Sequence, residues 1–255
     1  DRQTQDVLIS SMIYNFIYNE IGKKDYPNAF YFNGKVELAG NIPSVFNRRR
    51  EDDGGILRSP ERTIFGIPYA QFVKFDFDVR KYFKFNGNQT LALRQFIGVG
   101  IPYGNSSAMP FVRSYFNGGS NDIRAWVAFG GLGPGGSQID EKVRTYLMGN
   151  IKLTTNIEYR IPFTEMYEGA IFTDIGNVWN TENNGFDDQF KFNKFIREMG
   201  IGSGFGLRVN VAYITLRVDL AYKIYDPNKP DGDRWRFHDI KPLKPTLNIA
   251  FGYPF

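Results

Sequence analysis

Apolar and polar side chains alternate along most of this chain with a period of two residues. The clearest run covers residues 71 to 85, where Val73, Phe75 and Phe77 share one face and Lys74 and Asp76 share the other. Successive side chains of a β-strand point to opposite faces of its sheet, so this alternation predicts strands. Eight further segments show it: residues 8–18, 30–38, 91–101, 151–161, 170–178, 205–211, 214–224 and 247–255. The chain is therefore predicted to be all-β, with nine antiparallel strands.

The lengths of the predicted strands and of their connections separate two kinds of β-protein. Most of the strands have about ten residues or more, whereas a strand of a soluble sheet usually has about five or six, and a tilted strand needs about nine to eleven to cross a bilayer. Short connections (21–27, 86–89, 163–166 and 212–213) alternate with long ones (41–68, 103–145, 180–199 and 226–244). Short turns at one rim and long loops at the other are typical of outer-membrane barrels. Alternation alone also fits a soluble β-sandwich, but the loop pattern favours a transmembrane antiparallel β-barrel in the cell outer membrane, crossing it many times.

Nine strands with two free edges do not make a complete barrel. Unpaired backbone groups in hydrocarbon cost several kcal/mol each, so both edges need partners. The remaining strands would come from a part of the protein before Asp1 or from another chain, and we expect the former. The sequence also begins without a methionine or a signal peptide, and we expect it to be a processed or truncated piece.

Composition limits the chemistry that the chain can carry. It has 31 Lys and Arg and 27 Asp and Glu, and because these charges are intermingled, no basic stripe favours nucleic acid. It has no cysteine and one histidine, His238, which excludes a disulfide framework and a Cys-ligated or multi-histidine metal site. No stretch of about twenty apolar residues predicts a spanning helix. We expect no enzyme activity, no metal and no cofactor.

The long connection between Tyr103 and Arg144 holds the most distinctive stretch of the sequence. From Phe111 to Trp126 it combines aromatic residues with a Gly-Gly pair and a single arginine, Arg124, near its end. Disordered segments are poor in aromatic residues, so we expect an ordered loop that folds into the barrel lumen. The Gly-Gly pair suits a tight turn at its tip. The candidate loop motif consists of Gly118, Gly119, Ser120, Ile123, Arg124 and Trp126.

Several segments in this order resemble a known family of barrels. They are Phe116–Ser120 with Ile123–Trp126, Asn156–Pro162, Gly169–Trp179, Gly202–Arg208 and the final Phe255. Together they resemble the C-terminal part of a Gram-negative outer-membrane assembly barrel of the BamA/TamA superfamily, most of all the Bacteroidetes form called TamL. The resemblance covers residues 90–255 and implies a sixteen-stranded barrel behind periplasmic POTRA domains, with this chain supplying the last nine strands. Ala125 departs from the family pattern, which usually has Gly after the loop arginine.

The resemblance also implies a function. Such a barrel inserts β-barrel proteins into the outer membrane, or moves substrates across or into it, through a lateral seam between its first and last strands. The implied partners are outer-membrane lipids, unfolded outer-membrane proteins and periplasmic or lipoprotein accessory subunits. Two alternatives stay open at this point: a passive porin, and a barrel that anchors or forms a pore for an N-terminal effector domain.

Two further sets of site residues follow from this interpretation. Glu158 and Asp174 lie on the polar side of neighbouring predicted strands, and the planar fork of Arg124 suits two carboxylates. An exposed arginine with a weak surface ion pair is the simpler interpretation of the residues alone, but the resemblance favours an Arg124 that pins the loop to the inner wall. In the last strand, Phe251, Tyr253 and Phe255 are expected to face lipid beside the seam. Gly252 and Pro254 would face inward, and the proline would weaken strand pairing there.

Overall fold

The fold is a single antiparallel sheet. A computed structural model describes residues 6–46, 62–129, 131–136, 148–182, 188–211, 214–240 and 244–255. Its strands are β1 (Ser11–Asn19), β2 (Phe30–Ala39), β3 (Thr63–Ile64), β4 (Ile67–Pro68), β5 (Phe72–Lys84), β6 (Thr90–Pro102), β7 (Ile151–Pro162), β8 (Tyr167–Trp179), β9 (Gly200–Val211), β10 (Ile214–Tyr225) and β11 (Thr246–Phe251). Nine of these form the main sheet in the order β1-β2-β5-β6-β7-β8-β9-β10-β11, and β3 and β4 form a separate small hairpin. The prediction of nine antiparallel strands is confirmed.

Helices contribute little to the described residues. Two short α-helices, α1 (Asn41–Phe46) and α2 (Phe195–Glu198), lie in connections between strands. Single 3-10 turns cover Asn86–Asn88, Phe111–Arg113 and Phe237–Asp239. In the part of the chain that the structure describes, no helix is both long and apolar enough to span a bilayer.

The two faces of the main sheet have opposite chemistry. On the outer face, apolar side chains such as Ile171, Phe205 and Ile249 are exposed, with 52 to 64% of their surface accessible. On the inner face, charged side chains such as Asp174 and Arg217 are completely buried. A soluble sandwich buries its apolar faces, so this inverted distribution rules out that alternative and is typical of a membrane barrel wall.

Described residues of the connection between β6 and β7 lie against the inner face and form a buried core there. Ile123, Ala125, Trp126 and Leu132 from this connection pack with Phe172 of β8 and Ala221 of β10 as one buried apolar cluster. This connection supplies four of the six side chains of that cluster. The core of the molecule therefore lies between a loop and a sheet rather than between two sheets.

The main sheet is open, and its two edge strands are β1 and β11. β11 is the shortest strand of this sheet and pairs with β10 over six residues, from Leu216 opposite Phe251 to Ala221 opposite Thr246. The side of β11 away from β10 has no strand partner among the described residues. An unpaired row of backbone groups is thereby left along this edge.

The expected course of the last strand is wrong beyond Phe251. The Gly252 N–H still donates to the carbonyl of Thr215 at 2.7 Å, at the next position of the ladder, but the positive φ of Gly252, 76°, turns the chain out of the strand. Phe255 is then buried with Ala29, Tyr82 and Ala92 on the inner side of the sheet. Tyr253 also turns inward, since its ring lies 4.2 Å from the guanidinium carbon of the buried Arg160. The alternation predicts which face a side chain lies on only while the backbone stays extended. Of the three aromatic residues, only Phe251 therefore lies on the outer face.

Candidate functional site

Arg124 forms a bidentate ion pair with Asp174 of β8 on the inner wall. Its Nε lies 2.9 Å from Asp174 Oδ2 and its Nη2 lies 3.0 Å from Oδ1. The backbone N–H of Arg124 also donates to Asp174 Oδ2, at 3.0 Å. Two parallel hydrogen bonds to one carboxylate fix both the distance and the plane of the guanidinium. The same group stacks on Phe172, with 3.4 Å between its carbon and the ring centroid.

Two more carboxylates and a second arginine complete the site. Arg124 Nη1 donates to Glu158 Oε2 of β7 at 2.6 Å and lies 3.4 Å from Asp219 Oδ2 of β10. Arg208 of β9 bridges the same two acids, at 2.9 Å to Glu158 and 2.8 Å to Asp219. We call Arg124, Glu158, Asp174, Arg208 and Asp219 the Arg124 cluster. It joins the loop to four consecutive strands.

All five side chains of the Arg124 cluster are fully buried. Burial opposes the charge on Arg124, but the neighbouring carboxylates, Asp174 first, outweigh it and raise the pKa of Arg124. Removing ions from water costs several kcal/mol each, and only close, well-oriented partners repay that cost. The cluster therefore favours one loop position, because a displaced loop would separate Arg124 from its three carboxylates and leave Asp174 without its arginine.

The Gly-Gly pair forms the turn that brings Arg124 to the wall. Gly118 and Gly119 have φ values of 91° and 103°, which L-residues with a side chain rarely adopt. Gly118 N–H donates to Asp122 Oδ2 at 2.8 Å, and Gly119 N–H donates to the carbonyl of Trp126 at 2.8 Å. A Cβ atom on Gly118 would collide with the carbonyl oxygen of Val127. The turn is thus closed by its own hydrogen bonds, with half-buried Ser120 within it and buried Ile123 after it.

A row of glycines on β9 provides the flat surface under the loop. Gly200, Gly202, Gly204 and Gly206 all point to the inner face, and a Cβ on Gly202 would overlap that of Ala125. A Cβ on Gly200 would meet Leu132 at 2.7 Å and Trp126 at 3.2 Å. Glycine in a strand commonly marks such a close approach of another segment. The extra methyl group of Ala125, relative to the usual family glycine, is accommodated by this row.

Comparison with known proteins agrees with this architecture. The sequence profile of the Omp85 superfamily domain matches residues 2–239. This chain belongs to the Omp85 superfamily. That membership indicates an outer-membrane β-barrel, of the group that includes BamA-like proteins.

A solved structure shows the same fold at low sequence identity. The crystal structure of BamA from Haemophilus ducreyi lacking POTRA domains 1-3 superposes with a TM-score of 0.60 at 16% identity. The match covers 95% of this Omp85 chain but 42% of the BamA chain, so the Omp85 chain spans less than half of that protein. No curated protein sequence matches it. The narrower resemblance to TamL stays a prediction.

The tail of the Omp85 chain connects to the Arg124 cluster through one residue, Arg160 of β7. Arg160 Nε donates to Glu158 Oε1 at 2.8 Å, and its Nη2 lies 3.3 Å from the carbonyl oxygen of Phe255. The two oxygens of Glu158 thus serve different segments, because Oε2 binds the loop arginine and Oε1 binds the arginine that holds the tail. The loop residues and the tail residues Tyr253 and Phe255 belong to one continuous polar network.

A second anchor holds the loop of the Omp85 chain before the motif begins. The Tyr115 hydroxyl donates to the Asp76 carboxylate of β5, and Lys74 lies 4.1 Å from the centre of the Tyr115 ring. Burial and the hydrogen bond to Asp76 raise the pKa of Tyr115. Lys152 of β7 pairs with Asp122 at 2.9 Å. The loop therefore contacts both halves of the sheet, and the attachment through Arg124 is more deeply buried than that through Tyr115.

Sequence reasoning missed several members of the site. Arg208 and Asp219 lie in predicted strands at positions of the polar face, but nothing in the alternation places them beside Glu158. Asn156, which donates to Asp174 at 2.8 Å and to the carbonyl of Asp122 at 2.8 Å, was missed for the same reason. The available signal was that all three residues lie on the polar face of their predicted strands. Which residues of that face lie close together depends on the register between strands, which the alternation does not give. His238, the one histidine of the sequence, lies between β10 and β11, where its side chain is 59% exposed and its Nε2 lies 3.2 Å from Asp233 Oδ1.

Proposed function

We propose that this Omp85 domain belongs to a protein that inserts β-barrel proteins into the outer membrane, or moves substrates across or into that membrane, through a lateral seam beside β11. Family membership supports the general class of outer-membrane assembly and translocation barrels. The observation that carries the proposal is the combination of a short edge strand with an inner loop held by the Arg124 cluster. A barrel that opens at its edge needs a weakly paired strand there and a stable wall elsewhere.

The same geometry disfavours a passive porin. A porin needs a water-filled lumen, whereas here the loop covers the inner face of β7 to β10 and buries Trp126, Ile123 and Leu132 against it. A barrel that only anchors an N-terminal effector domain would not need a loop bound at this depth. These observations support the assembly role over both alternatives.

We propose further that the protein works without chemical catalysis. The carboxylates of the Arg124 cluster are each engaged by at least one arginine, so they are not free to act as acids or bases. Its partners would be unfolded outer-membrane proteins, outer-membrane lipids and periplasmic or lipoprotein accessory subunits. POTRA domains before this segment and a TamL-like role belong to the same proposal.

The full-length protein in liposomes provides the test. Urea-unfolded outer-membrane proteins are added, and their insertion is followed by the mobility shift of folded barrels on unheated gels. We expect the protein to accelerate insertion several-fold over empty liposomes, and Arg124→Ala to abolish most of that acceleration. Arg236→Ala, which removes an arginine from an outer loop, is the matched control. No acceleration combined with steady ion conductance in planar bilayers would favour the porin and overturn the proposal.

A further inference from the structure

The inner side of β11 contacts the loop backbone directly. Thr246 Oγ1 donates to the carbonyl of Ala125 at 2.9 Å, and Asn248 Nδ2 donates to the carbonyl of Arg124 at 2.9 Å. Both side chains lie on the face of β11 opposite to Leu247 and Ile249, which are exposed. The edge strand therefore binds two consecutive peptide groups at the tip of the loop.

These bonds make Arg124 a bridge between β8 and the edge of the sheet. Its N–H and guanidinium are held by Asp174 of β8, while its carbonyl accepts from Asn248 of β11. In the sheet, β9 and β10 lie between these two strands. The glycine row of β9 lets the loop cross closely, because Gly200 and Gly202 carry no side chain in its path.

The hydrogen bonds from the loop add to the short hydrogen-bonded ladder between β10 and β11. β11 pairs with β10 over six residues, whereas β9 and β10 pair over eleven, so the ladder between β10 and β11 has fewer hydrogen bonds. Two additional hydrogen bonds from the loop, each worth about fivefold in an equilibrium constant, are a large addition at such an edge.

We propose that Thr246 and Asn248 couple the position of the loop to that of β11, so that undocking of Arg124 loosens the edge strand and opening of the edge loosens the loop. Such coupling is reciprocal by thermodynamic necessity. As a means of regulating the seam, it rests on the proposed function. The coupling itself is a property of the barrel alone and is measurable without a substrate.

The test is hydrogen exchange of the full-length protein in lipid nanodiscs, read by mass spectrometry in peptides covering residues 118–127 and 246–251. Asn248→Leu and Thr246→Val each remove one donor at nearly constant volume, and Thr246→Val serves where Asn248→Leu does not insert. We expect each to raise exchange about fivefold in both peptides. Thr215→Val is the control, because its hydroxyl donates to Asn210 rather than to the loop.

Coupling differs from a local structural role in that a substitution in either segment raises hydrogen exchange in the other. Arg124→Lys, which keeps the charge but loses the fork, should raise exchange in residues 246–251 as well as in the loop. In the double variant with Asn248→Leu, the increase should be smaller than the product of the two single effects. Exchange that rises only in the mutated segment, or single effects that multiply, would overturn the inference. Insertion of substrates by the unmodified protein is scored separately, so a failed assembly role and a failed coupling give different results.

Discussion

Two arginines in loops of this protein bind several carboxylates, yet their surroundings differ completely. Arg124 binds Asp174, Glu158 and Asp219, which lie 34 to 95 residues away in the sequence, and all four side chains are fully buried. Arg236 binds Asp233, with 2.6 Å between Nη1 and Oδ2, and Asp239, both three residues away, and these aspartates are about half exposed. The same ionic chemistry thus occurs in two environments.

The difference shows what an ion pair contributes in each place. The pairs of Arg236 are local and solvated, so breaking them returns the charges to water at little cost. The pairs of Arg124 join the loop to strands that are distant in the sequence, and breaking them leaves charges in a dry interior. Of the two sets of ion pairs, only the buried pairs of Arg124 can determine how the loop lies on the sheet.

The largest expected effect is that of Arg124→Ala. It leaves Asp174 buried without an arginine partner, while Glu158 and Asp219 keep Arg208, and this should cost about 3–5 kcal/mol of loop docking. Hydrogen exchange in residues 118–127 measures it, with Arg236→Ala as the matched control. A loop that stays as protected as in the unmodified protein would show that the apolar cluster, not the arginine, holds it.

The comparison extends to two phenylalanines at the end of the chain. Phe255 is buried among Ala29, Tyr82 and Ala92, whereas Phe251 on the outer face is 76% exposed. Phe255→Ala should lower the free energy of unfolding by about 2–4 kcal/mol through the cavity it creates, with less protein in the membrane. Phe251→Ala is the control with the same change of side chain. Thermal unfolding in micelles checks both, and a larger loss for Phe251→Ala would restore the lipid-facing interpretation of the tail.

A smaller effect tests the fit of the loop on β9. Gly202→Ala should weaken loop docking by about 1–3 kcal/mol, because the new methyl group overlaps that of Ala125. Adding Ala125→Gly removes the overlap and should restore protection of residues 118–127, apart from the backbone entropy of a new glycine. If the double variant exchanges as fast as Gly202→Ala alone, the contact between these two residues is not what positions the loop.

The smallest effect is expected for Arg236→Ala. Its partners are exposed and close in sequence, so the free energy of unfolding should change by less than about 1 kcal/mol. Thermal unfolding at low and high salt measures it, and any loss should shrink as salt screens the charges. A loss comparable with that of Arg124→Ala would mean that the outer loop also supports the barrel.

Much of this fold was predictable from local alternation. The nine strands, their antiparallel order and the polar inner face follow from period two and from the lengths of the connections. The Gly-Gly turn and the order of the loop followed from the kinds of residue it contains. The course of residues 252–255 was not predictable, because one glycine with a positive φ ends the strand and turns Tyr253 and Phe255 inward.

Which side chains share a face was readable from the sequence alone, since that depends only on the backbone geometry of neighbouring residues. The sequence did not determine which of them touch across the sheet, because distance depends on the register of strands that are far apart in the chain. Arg208 and Asp219 joined the Arg124 cluster only through that register, and Asn248 met the loop where the glycine row of β9 lets the loop lie close to the sheet. These contacts depend on the tertiary structure. A buried charge needs partners from segments that are distant in the sequence, and no local pattern specifies them.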